Sequence, residues 1–349
     1  MKQTDYIIVG QGIAGSMVAY YLLKKGKSVV VVDLYNPNSS SNIAAGVVNP
    51  ITGRKMVKTW KIDEILPFSK NAYKELEQEL GVSFLFEKEI FKVFSSPEDV
   101  NIWNIKKTDA EYMPYLGDIV YPGDNNPHIS APFGAGVIQL ACWMDVPVFT
   151  KAFRTYLLKE DRLLEEEFDF SALEMDDTVS YKDISASGII FCEGYRAFQN
   201  PYFKWIPFAL AKGEQIEIHA EDLKLSDILN RNIFIIPKGN DLYSIGSTFV
   251  WDDVEESITD AGRAEILQKM EKVVKSPYTI VEERAGIRPA MPDRRPVIGR
   301  HPAYRNMFIF NGMGTKGVSL SPYLADFFTD YLEHYPEISH EISINRFED

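Results

Sequence analysis

Residues 5–33 have the sequence DYIIVGQGIAGSMVAYYLLKKGKSVVVVD, and this stretch decides the fold. Its first five residues are a short apolar run typical of a buried strand. A glycine-rich turn follows, then a helical pattern, then a second apolar run that ends at Asp33. Strand, glycine turn, helix, strand and acid, in this order, predict a complete dinucleotide-binding βαβ unit.

Each glycine of the turn has a separate physical role in such a unit. Gly10 allows the tight turn, Gly12 lets a pyrophosphate approach the backbone N–H groups at the helix N-terminus, and Gly15 lets helix and strand pack closely. The helix opens with Ile13 and Ala14. The motif alone leaves open whether the dinucleotide is NAD or FAD.

Length, charge and cysteine content narrow the class of protein. The chain has 349 residues, which favours about two domains, and a net charge of −13, which argues against a nucleic acid partner. No apolar run approaches the roughly 20 residues of a membrane span. The two cysteines, Cys142 and Cys192, lie in apolar surroundings and are expected to be buried reduced thiols. With a strand pattern starting almost at Met1, we expect no signal peptide and a cytoplasmic location.

The order of the remaining patterns predicts an α/β fold with a discontinuous sheet. Strands of βαβ type are expected at the start, in the middle at residues 187–194 and near the end at residues 307–310, with antiparallel strands between them. Helices are expected over residues 63–80, 146–158, 261–274 and from the last glycine turn to about residue 332, with Pro322 in the first turn of that final helix. Residues 112–132 are expected to be irregular.

Three further segments carry candidate chemistry. They are SSSNIAAGVVNP over residues 39–50, RAGIRPAMPDRRPVIG over residues 284–299, and NGMGTKG over residues 311–317. Together with the opening unit, they make the chain resemble the D-amino-acid oxidase family of FAD-dependent oxidoreductases, over essentially its full length. The glycine turn at residues 312–317 most resembles the oxidase domain of the bifunctional wobble-uridine tRNA modification enzymes.

The resemblance implies two domains and a set of cofactor contacts. It implies a Rossmann-like FAD-binding domain built from residues 1–62, 144–205 and 291–349, and an antiparallel-sheet substrate domain built from residues 63–143 and 206–290. The FAD is expected to be non-covalent, because no cysteine follows Cys192. Matching positions imply that the cofactor is bound by Gly10, Gly12, Ile13, Ala14, Gly15, Asp33, Ser41, Asn42, Ala44, Ala45, Gly46, Gly194, Gly312, Met313, Gly314, Thr315, Lys316 and Gly317.

Two cations are the candidate catalytic residues. Arg288 matches the family arginine that grips a substrate carboxylate, and the alternative is a structural arginine paired with Glu282 or Glu283. Lys316, at a helix N-terminus, would stabilise the negative charge of reduced flavin, and the alternative is a solvated surface lysine.

Other candidates are weaker. Tyr243 and Trp251 are expected either to line the substrate pocket or to belong to the core. Residues 53–55, GRK, are expected either to contact phosphate or substrate, or only to cover the surface. The five histidines are scattered without metal-ligand spacing, so we expect no metal site.

The function implied by the resemblance is oxidation of a small amine or amino acid. Hydride would leave the carbon that bears the amine for flavin N5, giving an imine, and oxygen or another acceptor would take the electrons. Three alternatives remain open: an oxidase of a modified tRNA base, a flavin-binding protein with a degenerate substrate site, and an NAD-dependent dehydrogenase.

Overall fold

The structure is a computed structural model that describes residues 2–251 and 253–348. A parallel sheet built from segments that are distant in the chain forms one side of the molecule. Strand Lys2–Val9 pairs in parallel with Val29–Val32 on one side and with Ile184–Phe191 on the other. Met307–Asn311 then adds in parallel to Ile184–Phe191. The sheet is completed by Leu163–Leu164, Leu173–Met175, Val179–Tyr181 and Val297–Arg300.

A nine-stranded, mainly antiparallel sheet forms the other large layer. Its longest pairing joins Ala211–His219 to Thr279–Arg288. The other strands are Ile90–Val93, Leu116–Val120, Ala135–Ile138, Ile228–Asn230, Phe234–Gly239, Leu242–Gly246 and Val250–Trp251. The mixed α/β class and the discontinuous parallel sheet are therefore confirmed.

Two small sheets lie beside these layers. One contains Val47–Val48, Leu85–Glu87 and Cys142–Met144, and the other pairs Ile51–Thr52 with Val57–Lys58. Every strand of the parallel sheet lies in a segment predicted for the FAD-binding domain, and every strand of the nine-stranded sheet lies in a segment predicted for the substrate domain. The domain boundaries themselves stay a prediction.

The described part of the chain contains seven α-helices, which connect the strands. They are α1 Ile13–Lys24, α2 Ile62–Leu80, α3 Pro97–Lys107, α4 Pro122–Asn125, α5 Val146–Lys159, α6 Asp260–Met270 and α7 Gly317–His334. Single 3₁₀ turns occur at Phe170–Ala172, Gly194–Gln199, Gly314–Lys316 and Ile344–Phe347. Among the residues described, no helix is both long and apolar enough to cross a membrane.

Helices α1, α2, α5 and α7 enclose the larger hydrophobic core. Helix α1 is buried along most of its length, which suits a helix placed between a sheet and other helices. Helix α2 buries one face and ends at Gly81, whose φ of 66° is the left-handed conformation that glycine adopts at little cost. Cys142 and Cys192 are both buried, as predicted.

Pro322 lies in the second turn of α7, not in the first as predicted, because the helix begins at Gly317. A proline at this position cannot donate to the carbonyl of Val318, four residues earlier. The hydroxyl of Tyr73 in α2 donates to that carbonyl instead, at 2.7 Å. The same surface of α2 supplies Ser69, whose hydroxyl donates to the carbonyl of Ser319 at 2.6 Å. Helix α2 thus satisfies the backbone that the proline interrupts.

One other prediction of local structure differs from the structure. Residues 112–132 are not wholly irregular, because Leu116–Val120 pairs with Ala135–Ile138 and α4 follows it. The apolar residues of Leu116–Val120 carry this strand despite the prolines and glycines around it.

Candidate active site

One large cavity lies between the two principal sheets and has a volume of about 1400 Å³. This exceeds the roughly 300–1,000 Å³ of ordinary small-molecule sites. Its walls include the carboxyl ends of the parallel strands, the loop of residues 39–46, the turn of residues 312–317 and the strand that ends at Arg288. A cavity of this size and position suits an extended dinucleotide together with a substrate.

All predicted site residues except Gly15 line this cavity. The lining includes Gly10, Gly12, Ile13, Ala14, Asp33, Ser41, Asn42, Ala44, Ala45, Gly46, Gly194, Arg288, Gly312, Met313, Gly314, Thr315, Lys316 and Gly317. Gly15 lies under the turn, where a Cβ would be 1.9 Å from the carbonyl oxygen of Gly10. Its contribution is therefore the close packing of helix on strand.

The opening glycine turn has the shape of a phosphate cradle. Gly10 has a φ of 99°, and a Cβ there would lie 2.6 Å from the carbonyl oxygen of Cys192. Helix α1 starts immediately after Gly12, and the N–H of Ile13 donates to the Ser41 hydroxyl at 2.9 Å. The other N–H groups of the first turn have no partner within the helix, so they are suited to bind an anion. The residues present therefore fit the pyrophosphate of FAD.

Asp33, expected at the ribose, is held by two contacts within the protein. One carboxylate oxygen accepts from the N–H of Gln11 at 2.8 Å, and the other accepts from Arg154 Nη1 at 2.7 Å. Arg154 is buried and also pairs with Glu165 at 3.0 Å. Because a carboxylate has about four acceptor positions, Asp33 keeps free acceptors that face the cavity.

The loop of residues 39–46 is fixed from both sides. The Asn42 side chain donates to the carbonyl of Asn36 at 2.7 Å and accepts from the Thr150 hydroxyl at 3.1 Å. Gly46 has a φ of 71°, and a Cβ there would lie 1.9 Å from the carbonyl oxygen of Met144. The glycine therefore lets the end of the loop pack directly against the backbone of Cys142–Met144.

Lys316 lies at the other glycine turn and is half-buried. Burial lowers the pKa of its ammonium group to about 8. Within residues 2–251 and 253–348, no carboxylate lies within ion-pair distance of it. Lys316 is therefore not a fully solvated surface lysine. Helix α7 begins at the next residue, so its N-terminal dipole adds to the positive charge.

Arg288 projects into the cavity from the end of its strand. Its guanidinium donates to the carbonyl of Lys212 at 3.1 Å, to the carbonyl of Thr248 at 3.2 Å and to the Ser247 hydroxyl. Burial lowers its pKa to about 10. The ring of Phe249 lies 5.0 Å from the guanidinium carbon. All protein acceptors of this cation in the described part of the chain are neutral oxygens.

The expected alternative partners of Arg288 pair elsewhere. Glu283 pairs with Arg263, and Glu282 lies 3.4 Å from Arg284. The interpretation of Arg288 as a structural arginine paired with one of these two acids is therefore wrong.

Of the weaker candidates, some reach the cavity and some do not. Trp251 lines it and is half exposed, whereas Tyr243 is buried in the core of the nine-stranded sheet. Gly53 and Arg54 line the cavity and Lys55 does not. In the described ranges, no group of three His, Cys, Asp or Glu residues could hold a metal ion.

Glu193 is a titratable cavity residue that the sequence analysis did not single out. Glu193 is the second residue after the strand Ile184–Phe191, and burial raises its pKa to about 7. The Asn200 side chain donates to it at 2.6 Å. Its position at the carboxyl end of a parallel strand is the signal that would have found it.

Comparison with known proteins agrees with this geometry. The family model described as FAD dependent oxidoreductase matches residues 5–331. The uncharacterized oxidoreductase YurR of Bacillus subtilis is 25% identical over 356 residues, which cover 92% of both chains. Glycine oxidase of the same organism is 24% identical over 356 residues, which cover 92% of this chain and 90% of that one.

A solved structure supports the same fold. The crystal structure of glycine oxidase from Geobacillus kaustophilus superposes with a TM-score of 0.81 at 20% identity. The superposition covers 97% of this chain and 96% of the other.

Proposed function

Because this chain belongs to the family of FAD dependent oxidoreductases, its cofactor is FAD, and we propose that it oxidises a small amino acid or amine whose carboxylate binds at Arg288. The observation that carries the proposal is a desolvated guanidinium without an acidic partner in the described structure. A buried cation of this kind is costly unless an anion completes its surroundings. The substrate carboxylate is the anion that fits. Glycine oxidase, a relative over most of the chain, acts by its name on an amino acid.

The cofactor and the protein divide the chemistry. When bound, FAD supplies a two-electron oxidant that takes hydride from carbon. The residues of the chain position the substrate and set the electrostatics. Arg288 fixes the carboxylate by charge-assisted hydrogen bonds, and Lys316, with the N-terminus of α7, provides positive charge at the glycine turn. The cavity walls limit water around these groups.

The experiment is anaerobic reduction of the FAD-loaded enzyme by a panel of amino acids and amines, followed by flavin absorbance. Anaerobic conditions make the result independent of the electron acceptor. We expect Arg288→Ala to load FAD normally and to lose about 100-fold in kcat/KM for a carboxylate substrate, which corresponds to about 3 kcal/mol. An amine without a carboxylate should be affected far less.

Arg284→Ala is the matched control, since Arg284 lies on the same strand but pairs with Glu217 and Glu282. If Arg288→Ala reduces its flavin with the cognate amino acid as fast as the wild type, the carboxylate role is refuted. Flavin reduction by none of the small amines would instead favour a degenerate substrate site or a modified tRNA base as substrate. The NAD-dependent alternative is excluded by the family.

The attachment of FAD and the cellular location belong to the same proposal. The thiols of Cys142 and Cys192 are buried and their pKa values are raised by burial, so neither is suited to attack a flavin ring. We therefore expect acid precipitation to release all of the flavin into the supernatant. Yellow colour that stays with the precipitate would show a covalent bond.

Free thiols also fit a cytoplasmic location, which fractionation of cells would test.

A further inference from the structure

The hydrogen bonds of Arg288 restrict how it can hold a carboxylate. A guanidinium has five N–H donors, and three of those of Arg288 already have acceptors in the protein. Both N–H groups of Nη2 are used, one by the Ser247 hydroxyl and one by the carbonyl of Thr248. One N–H of Nη1 is used by the carbonyl of Lys212. The Nε–H and the second N–H of Nη1 remain.

These hydrogen bonds prevent Arg288 from binding a carboxylate in the usual bidentate way. A guanidinium binds a carboxylate with two parallel N–H groups along one of its two forked edges, and Nη2 contributes to both edges. With Nη2 engaged by the protein, each edge of Arg288 offers at most one free N–H. A second donor for the substrate carboxylate must therefore come from another residue.

Ser247 is the donor placed beside the guanidinium. Its Oγ accepts from Arg288, so its own hydroxyl proton stays available, and that proton has no acceptor among the residues described. Ser247 also lines the cavity. A hydroxyl can accept from a cation and donate to an anion at the same time, which suits a contact between guanidinium and carboxylate.

The surrounding structure holds the pair in place. A Cβ at Gly213 would lie 2.0 Å from Arg288 Nη2, so the guanidinium rests directly on the backbone of Gly213. Thr248 is fixed by the buried Glu214, whose carboxylate accepts from the Thr248 hydroxyl at 3.1 Å while the same hydroxyl accepts from the Glu214 N–H at 3.0 Å. Nη2 is therefore not free to turn toward the substrate.

We propose that the Ser247 hydroxyl binds the substrate carboxylate together with Arg288. One carboxylate oxygen accepts from a free N–H of Arg288, and the other accepts from the Ser247 O–H. The proposal rests on the proposed function, because it assumes that the substrate carries its carboxylate to Arg288.

The test measures binding separately from turnover. Propionate has a carboxylate but no amine, so it can occupy the site without reducing the flavin. Its Kd is measured with the FAD-loaded enzyme from the perturbation of flavin absorbance. For Ser247→Ala we expect the Kd of propionate to rise about tenfold. The Kd of the amino acid substrate should rise by the same factor, and the limiting rate of flavin reduction should not change. Ser247→Thr, which keeps the hydroxyl, should bind like the wild type.

Controls separate the possible failures. Ser244→Ala removes a hydroxyl that donates to the Gln215 side chain on the neighbouring strand Ala211–His219 and should leave the Kd unchanged. If Ser247→Ala loads no FAD, Ser247→Cys replaces it, with the same tenfold rise expected from its weak S–H donor. If the Ser247 variants bind propionate normally while Arg288→Ala does not, the inference is wrong and the proposed function stands. If Arg288→Ala also binds normally, both are wrong.

Discussion

Replacing Glu193 with glutamine should make the stability of the protein less dependent on pH. Burial in the cavity wall raises the pKa of Glu193 from 4.5 to about 7, although the hydrogen bond from Asn200 favours the ionised form. Between these two pH values the folded protein keeps a proton that the unfolded chain has released. The folded protein therefore becomes less stable as the pH rises from 4.5 to 7. Above pH 7 the stabilising contribution of the protonated Glu193 is absent.

The raised pKa of Glu193 sets an upper limit on the change in the free energy of unfolding. A change of about 2.5 pKa units at about 1.36 kcal/mol per unit gives at most about 3 kcal/mol. Because Glu193 borders the cavity, partial solvation reduces this value. Glu193→Gln keeps the shape and an acceptor for Asn200 but has no charge to bury. We therefore expect it to be more stable than the wild type at pH 8 and nearly equal near pH 5.

Thermal unfolding of the FAD-free protein between pH 5 and pH 8 measures this difference. If the chain unfolds as one cooperative unit, about 3 kcal/mol corresponds to about 4 °C in Tm. Glu111→Gln removes the same charge from an exposed loop and serves as the control. A gain that is the same at pH 5 and pH 8, or no gain at pH 8, would refute the reasoning.

Two further substitutions test the glycine turn and the proline in α7. Gly12→Val should abolish FAD loading, because its Cβ would lie 2.9 Å from the Ser41 hydroxyl, where the phosphate cradle is built. Flavin absorbance after purification measures the loading, with Lys55→Val as the control. A fully loaded Gly12→Val variant would contradict the assignment of the turn. Tyr73→Phe should cost about 1–3 kcal/mol in the free energy of unfolding, because it leaves the carbonyl of Val318 without a donor. Denaturant unfolding checks this, and a loss no larger than that of the exposed Tyr335→Phe would show that the carbonyl finds another donor.

The parts of the site that depend on local backbone were predictable from the sequence. The turns at Gly10 and Gly312 need positive φ values, 99° and 76°, and only glycine adopts these readily. Their place directly after an apolar strand and before a helix is visible in one short window of sequence. Gly46 also has a positive φ, of 71°, and it ends the polar loop of residues 39–46, which is visible in the sequence.

The pairing of charged side chains was not predictable in this way. Glu282 precedes Arg288 by six residues, and at about 3.4 Å per strand residue the two Cα atoms are about 20 Å apart, so sequence proximity misleads. The partner of Asp33 is Arg154, 121 residues away on α5. Such contacts depend on which elements meet in space. For the same reason, Ser247 becomes a neighbour of Arg288 only when both strands have joined the sheet.

The discontinuous parallel sheet also governs when the site can exist during synthesis. Strand Met307–Asn311 lies beside Ile184–Phe191, and the turn of residues 312–317 that follows it closes one wall of the cavity. A nascent chain that has emerged only to residue 300 therefore has an open sheet edge at residues 189–191, which later pair with Met307–Asn311, and an incomplete cofactor site. Such an edge is a surface for aggregation. The cofactor site is complete only after residue 317 has emerged from the ribosome, so a product that ends before this residue lacks one wall of the site.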